Sequence, residues 1–428
     1  MTIPSGNKCQ YKVDNFQELK NKMLNWTNRF SIFCFLDNHQ YQVQPNFTEC
    51  LLAAGCRQSF SSDEVPGLAS FQQFLNKQDG WLFGHFSYDL KNEIEELSSD
   101  HPDQIGFPDI FFFKPKVVIR LNEKLLEIES DDPKTVYKEI LAENIFSQEQ
   151  TASVDFKSRI TEHEYFKTIN RLKAHILRGD CYEINYCIEY FAENATIDPA
   201  NIYKKLSDLS PNPFSAFYKL NEKYLLCASP ERFIKRTGNQ LLSQPIKGTS
   251  GRVLSNKEMD EASRQQLINS EKDKAENVMV VDLVRNDLSK VCEEGTVKVS
   301  ELFGIYSFPQ VHQMISTVEG ILKKDILFTD IIKATFPMGS MTGAPKKRVL
   351  ELIEQYEKSR RGIFSGAVGY ISPEEDFDFN VVIRSIMYNA EKKYLSYQVG
   401  SAITYLSDPE QEWQECLLKA EAIKKVLS

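Results

Sequence analysis

TEHEYFKTINRLKAHILRGDCYEINYCIEYF, residues 161–191, changes its hydrophobic period halfway along. In its first part Tyr165, Phe166, Ile169, Leu172 and Ile176 recur at the spacing of one helix face, and Gly179 stands where a C-terminal cap is wanted. From Cys181 onward Tyr182, Ile184, Tyr186, Ile188 and Tyr190 alternate with mostly smaller or polar residues, which predicts a strand. Downstream, SAFYKL, KYLLCAS and RFIKRT read as short strands, with Gly238-Asn239 as a turn. Nearer the C-terminus SGAVGYIS, FDFNVVIRSIMYN and KKYLSYQVGSAITYL read as three successive strands, and a closing helix starts at Asp408 (N-cap) and Pro409 (first turn). Upstream, residues 1–150 carry β-type runs (FSIFCFL, GWLFGHFSYDL, DIFFFKPKVVIRL) broken by polar and Pro/Gly segments. The polar stretch SQEQTASVDFKS marks a boundary between a β-rich N-terminal region, 1–150, and a second region, 155–428. The pattern predicts an α+β protein whose large antiparallel sheets form a sandwich covered by helices, not a doubly wound Rossmann body.

Composition narrows the function classes. Of 428 residues, 42% are hydrophobic and 26% charged, the balance of a globular chain able to build a large core. The net charge of −9 comes from interspersed acids and bases, without the basic block that nucleic acid or an anionic membrane would select. Nine cysteines stand singly, with no CxxC pair, which points to reduced thiols and away from structural zinc. The start lacks the regions of a signal peptide, and apolar runs such as Ile32–Leu36 are of strand length. A soluble, cytoplasmic protein is expected.

Four constellations could carry chemistry. In EKDKAENVMVVDLVRNDL, Asp273 and Glu276 share a helix face, and Glu412 and Glu415 do the same on the C-terminal helix. Two such faces together would make an oxygen-only site suited to Mg²⁺, although acids in first helical turns more commonly serve solvent and the helix dipole. In QPIKGTSGR, Lys247 lies between a Pro-Ile stem and a Gly-Thr turn. Pointed into a pocket, it is expected to have a lowered pKa and a nucleophilic neutral amine; the alternative is an exposed turn lysine. SPERF places Glu231 after a proline, where a partly apolar pocket would make it a proton donor rather than a plain turn residue. FPMGSMTGAPKKR is a small-residue loop opening onto a helix, able to hold a carboxylate but lacking the spacing of a nucleotide-binding loop.

Taken in order, GDCYEINY, SPNPF, SPERF, PIKGTSGR, KAENVMVVDLVRNDL, VHQMIST, FPMGSMTGAPK, SGAVGY, VVIRS and EWQE resemble the chorismate-binding enzymes. That family includes anthranilate, aminodeoxychorismate, isochorismate and salicylate synthases. GWLFGHFSYDL is similar, more loosely, to the family's variable part. The resemblance implies an anthranilate synthase-like sandwich with 155–428 as its catalytic region, and chorismate held over Mg²⁺. Glu276 and Glu415 would be the metal ligands, with Asp273 and Glu412 supporting them through water. Glu231 would be the general acid for loss of the C4 hydroxyl, with His312 near the same leaving group. Arg384 and Tyr370 would hold the enolpyruvyl carboxylate, and Thr249, Gly339, Ser340, Thr342 and Gly400 would supply donors around the ring.

The residue after Pro-Ile selects among members. Anthranilate synthases resemble PIAGT, with direct attack of ammonia at C2. Lys247 resembles the aminodeoxychorismate synthases, which implies a covalent lysine adduct at C2 and then ammonia at C4, toward 4-aminobenzoate and folate. The alternatives are anthranilate synthase component I, with Lys247 a bystander, and a catalytically dead chorismate or amino-acid sensor. Isochorismate synthases resemble a pattern with a lysine base where this chain has Glu183, and many other relatives have glutamine there. Two more departures are GSA (400–402), where relatives are richer in glycine, and FLDNHQY, which lacks the tryptophan-binding pattern. No GxCxG glutaminase elbow occurs, so a separate glutamine amidotransferase is expected to supply ammonia. No pyridoxal phosphate site is implied.

Overall fold

The computed structural model describes residues 7–41, 49–144, 154–308 and 311–428. The period change at 161–191 is a helix, Glu162–Leu177, running into a strand, Glu183–Ala192. Thr161 and Glu164 close a capping box at the helix start, and Gly179 adopts φ +84° just past its end. The strand is buried on both faces rather than one. Ile184, Tyr186, Ile188 and Tyr190 enter one core, whereas Cys187 and Phe191 enter a second. Tyr182 falls before the strand and is exposed.

Among the described residues all strand pairs are antiparallel, and most of the strands fall into two runs. One passes from Cys50–Ser61 through Ile32–Asp37, Phe214–Leu220, Lys223–Ser229, Ser385–Asn389 and Tyr394–Ile403 to Glu183–Ala192. The other passes from Ile110–Leu121 through Leu82–Phe86, Ala367–Ile371, Phe377–Asn380, Arg232–Thr237 and Gln240–Gln244 to Val311–Ile321. The long strands Cys50–Ser61 and Ile110–Leu121 pair with each other and join the runs. One core collects residues of both runs, such as Tyr218 and Phe379, and the other packs helices onto the first run. This is the expected sandwich, with strands from residues 1–150 paired directly to later ones. Of the expected boundary, 147–153 lies outside the described residues, while Lys157–Ser158 pairs with the Glu183–Ala192 strand.

FDFNVVIRSIMYN is two strands, not one: Phe377–Asn380 belongs to the second run and Ser385–Asn389 to the first. The chain therefore changes layers across Val381–Arg384, with Arg384 at φ +52°. Lys223–Ser229 and Arg232–Thr237 change layers in the same way through Pro230-Glu231. The two crossings are tied side by side, Val381 N donating to Glu231 O at 3.0 Å and Ala228 N to Arg384 O at 3.1 Å. This corner carries the site.

Candidate active site

A cavity of ≈ 880 Å³ opens at the corner, and Glu231, Lys247, Thr249, Asp273, Glu276, Ser340, Arg384, Gly400 and Glu415 all line it. These residues come from motifs up to 184 positions apart (415 − 231), brought together by the paired crossings and the two acidic helices. Glu231 is buried. Burial outweighs the Ser340 hydroxyl and the Lys247 charge and pushes its carboxyl up to about 7, so it holds a proton near neutrality.

Lys247 lies in a strand, Ile246–Gly251, whose register against Val311–Ile321 shifts between Ile246 and Thr249. The shift needs Gly248, which sits at φ +91° and packs so closely on the neighbouring helix that a Cβ there would lie 2.9 Å from Asp273 Cβ. Lys247 Nζ is buried and lies 2.6 Å from Glu183 Oε1. Its pKa is raised, against the expected lowering: burial alone would lower it, but the charge and hydrogen bond of Glu183, foremost among the neighbouring carboxyl groups, outweigh burial. The lysine is therefore an ammonium in the free protein.

The helix Glu271–Val291 presents Asp273 and Glu276, and Pro409–Lys419 presents Glu415. Asp408 caps the latter by accepting from the Glu410 and Gln411 amides. Lys272 Nζ sits between the two helices, 3.9 Å from Glu276 Oε1 and 3.4 Å from Glu412 Oε1. Glu415 pairs with Lys419 Nζ at 2.7 Å; despite burial, Lys419 and Lys272 hold its carboxyl below the ordinary range. Among the described residues no three His, Cys, Asp or Glu side chains are arranged to hold a metal ion. The donor set nevertheless fits a hard divalent cation, because it is all carboxylate and because the buried Glu276 Oε1 has no hydrogen-bond partner. Burial, with Glu183 and Asp273 nearby, pushes the Glu276 carboxyl up to about 7.

Five expected residues stand elsewhere. Tyr370 packs on Trp81, ring centroids 5.5 Å apart, and lines a different small cavity with Asp37 and Asp378. Phe364 lies on the main cavity wall instead. His312 is turned away from the cavity, with Nδ1 2.8 Å from the Ser307 hydroxyl and Nε2 3.3 Å from Asp260 Oδ1. Gly339 packs on Leu283, the Thr342 hydroxyl donates to Met338 O, and Glu412 is buried against Lys272. None of these lines the cavity wall. Gly400 does, and a Cβ there would lie 2.5 Å from Cys187 Sγ and 2.7 Å from Tyr186 O. Ala402 also faces the cavity.

The sequence reading missed Asn185, Gln313, Gln398 and Lys419 on this wall. Asn185 was within reach of pattern reasoning, because it is two residues from Glu183 and so shares its strand face. It donates to Ser340 O at 3.0 Å. Lys419, four residues after Glu415, donates to Gly400 O at 2.8 Å and ties the helix to that glycine.

The family model described as chorismate binding enzyme matches residues 35–425, so the resemblance reaches well into the N-terminal region. Aminodeoxychorismate synthase component 1 of Bacillus subtilis is 32% identical over 81% of this chain and 77% of its own length. A probable chloroplastic aminodeoxychorismate synthase of Oryza sativa is 43% identical over 62% of this chain; the match spans 30% of the rice protein. Among solved structures, anthranilate synthase component I from Streptococcus pneumoniae superposes with a TM-score of 0.79 at 25% identity, covering 90% of this chain and 94% of that one.

Proposed function

The chain belongs to the chorismate-binding enzyme family, and we propose that within it the protein is an aminodeoxychorismate synthase subunit converting chorismate and ammonia to 4-amino-4-deoxychorismate. The observation that carries this reading is a buried lysine, Lys247, on the wall of the same cavity as a buried carboxyl, Glu231, whose pKa burial pushes up to about 7. One group can attack carbon and the other can protonate a departing hydroxyl. Anthranilate formation needs no covalent nucleophile, so an alanine would serve it at this position. The curated relatives named for aminodeoxychorismate synthesis support the same choice.

In the proposed reaction Lys247 Nζ bonds to C2 of chorismate, the ring π electrons shift, and the C4–O bond breaks. Glu231 gives its proton to the leaving hydroxyl, which departs as water. Ammonia then bonds to C4, the π electrons shift back, and the C2–N bond breaks to release Lys247. The proton surplus on the new C4 amine returns to Glu231. Arg384 suits one substrate carboxylate as a planar cation, and Gly400 lines the same wall. Glu276 and Glu415, with Asp273 and Glu412 behind them, would hold Mg²⁺, which would orient the substrate and offset its carboxylate charge. We further propose that ammonia comes from a separate glutamine amidotransferase.

The test is a product assay with chorismate, Mg²⁺ and ammonium, products being separated by chromatography and mass. Aminodeoxychorismate, lost in Lys247→Ala, is the expected result. Anthranilate from the wild type would overturn the assignment while leaving the family intact.

A further inference from the structure

The proposed lysine chemistry meets an obstacle in this site: Lys247 is an ammonium, and an ammonium has no lone pair with which to attack C2. Three carboxyl groups face it, Glu183 on the Glu183–Ala192 strand, Glu231 at the layer crossing and Glu276 on the neighbouring helix. Only Glu183 among the described residues is placed to take its proton directly, at 2.6 Å from Nζ. Glu231 is already committed as an acid, and Glu276, whose Oε1 has no hydrogen-bond partner, is ion-paired with Lys272 and not with Lys247.

Glu183 is built for that contact. It is buried behind Lys247 rather than on the cavity wall, so substrate does not reach it. Its other oxygen, Oε2, has no hydrogen-bond partner. Its backbone is fixed by pairing with Gly343-Ala344, where a Cβ on Gly343 would lie 2.1 Å from the Glu183 carbonyl oxygen.

Resting on the lysine-adduct reading above, we propose that Glu183 is the base that takes one proton from Lys247 before attack and returns it when the amine is released. The steps balance. Proton transfer converts the ammonium–carboxylate pair into a neutral amine and a carboxylic acid. The amine's lone pair forms the C2–N bond, leaving a secondary ammonium in the adduct. When that bond breaks, its electrons return to nitrogen as a neutral amine, which regains the proton from Glu183. No outside acid or base is consumed, and the cycle adds nothing to the overall exchange of ammonia for water. A glutamine at this position could accept the same hydrogen bond but not the proton.

The experiment compares wild type, Glu183→Gln and Glu183→Asp, each folded by circular dichroism. Chorismate and Mg²⁺ are added without ammonia, the reaction is quenched over time, and intact-protein mass detects chorismate joined to the chain with loss of water. Glu183→Gln removes the proton acceptor and, with it, the charge and hydrogen bond that raise the Lys247 pKa; at a pH low enough to keep Lys247 an ammonium, adduct formation should be slower by at least about 100-fold, the range of a lost general base. Its rate should climb with pH as solvent removes the proton instead, while the chorismate concentration for half-maximal rate stays near that of wild type. Glu183→Asp should restore part of the rate and flatten the pH profile. Wild-type adduct rates and a wild-type pH profile in Glu183→Gln would overturn the proposal and leave the lysine route standing. Wild-type product formation that survives Lys247→Ala would instead overturn the lysine route itself.

Discussion

Replacing Glu231 by glutamine should do two opposite things, and the second follows from burial alone. The carboxyl is moved from an ordinary 4.5 to about 7. Its ionisation inside the fold is therefore disfavoured by about 2.5 pKa units, on the order of 3 kcal/mol at about 1.4 kcal/mol per unit. The folded form binds the proton more tightly than the unfolded chain does, so stability falls as pH rises between the two values and stays low above about 7. Glutamine has the same shape and no charge to bury. At pH 8, without substrate, Glu231→Gln should thus be more stable than wild type by on the order of 3 kcal/mol. For a chain of 428 residues, with an unfolding entropy near 0.9 kcal/mol/K, that is about 3 °C in Tm. At pH 5 the carboxyl is protonated in the fold and the gain should shrink below about 1 kcal/mol. Scanning calorimetry at both pH values measures this, and the same samples should have lost aminodeoxychorismate formation by about 100-fold or more. Equal Tm values at pH 8, or a lower Tm in the variant, would refute the claim that Glu231 is held protonated by its surroundings.

Other outcomes test the wall of the cavity. Gly400→Ala places a methyl group against Cys187 Sγ and Tyr186 O; it should destabilise by about 1–3 kcal/mol in denaturant titrations and weaken chorismate binding. Arg384→Gln should raise the KM for chorismate by about 10- to 100-fold, the value of one charge-assisted hydrogen bond. Tyr370→Phe should leave kcat and KM unchanged, since that ring lines another cavity; a large KM effect would restore it to the substrate site. Glu276→Gln should raise the Mg²⁺ concentration for half-maximal turnover by at least about tenfold, and unchanged metal dependence would remove it from the ligand set.

Much of this was legible from local pattern. The helix and strand of 161–191, the capped C-terminal helix and the acid pairs three residues apart all express interactions within one element, where spacing along the chain is spacing in space. The same locality explains the misreading of FDFNVVIRSIMYN. Its apolar run is continuous because both halves are buried, and nothing within the run marks where the chain leaves one layer for the other. Motif order also led to Lys247, Glu231, Glu276 and Arg384, which the fold brings onto one cavity wall, while it could not say whether Tyr370 or Phe364 meets the cavity. Tyr370 lies in a strand and Phe364 just before it, so the register of the whole sheet decides which ring points where.

The charge state of Lys247 was outside the reach of any reading along the chain. Sequence determined that a lysine follows Pro-Ile and that a glutamate opens the strand 64 positions earlier, and each alone supports a bland or a functional role. Only the tertiary structure brought Nζ and Oε1 to 2.6 Å in a buried site. Ionisation depends on burial and on charges within a few ångströms, which come from elements remote in sequence. The periodicities that built the sandwich are short-range and written in order; the electrostatics of its cavity are through-space, and exist only once the layers have closed.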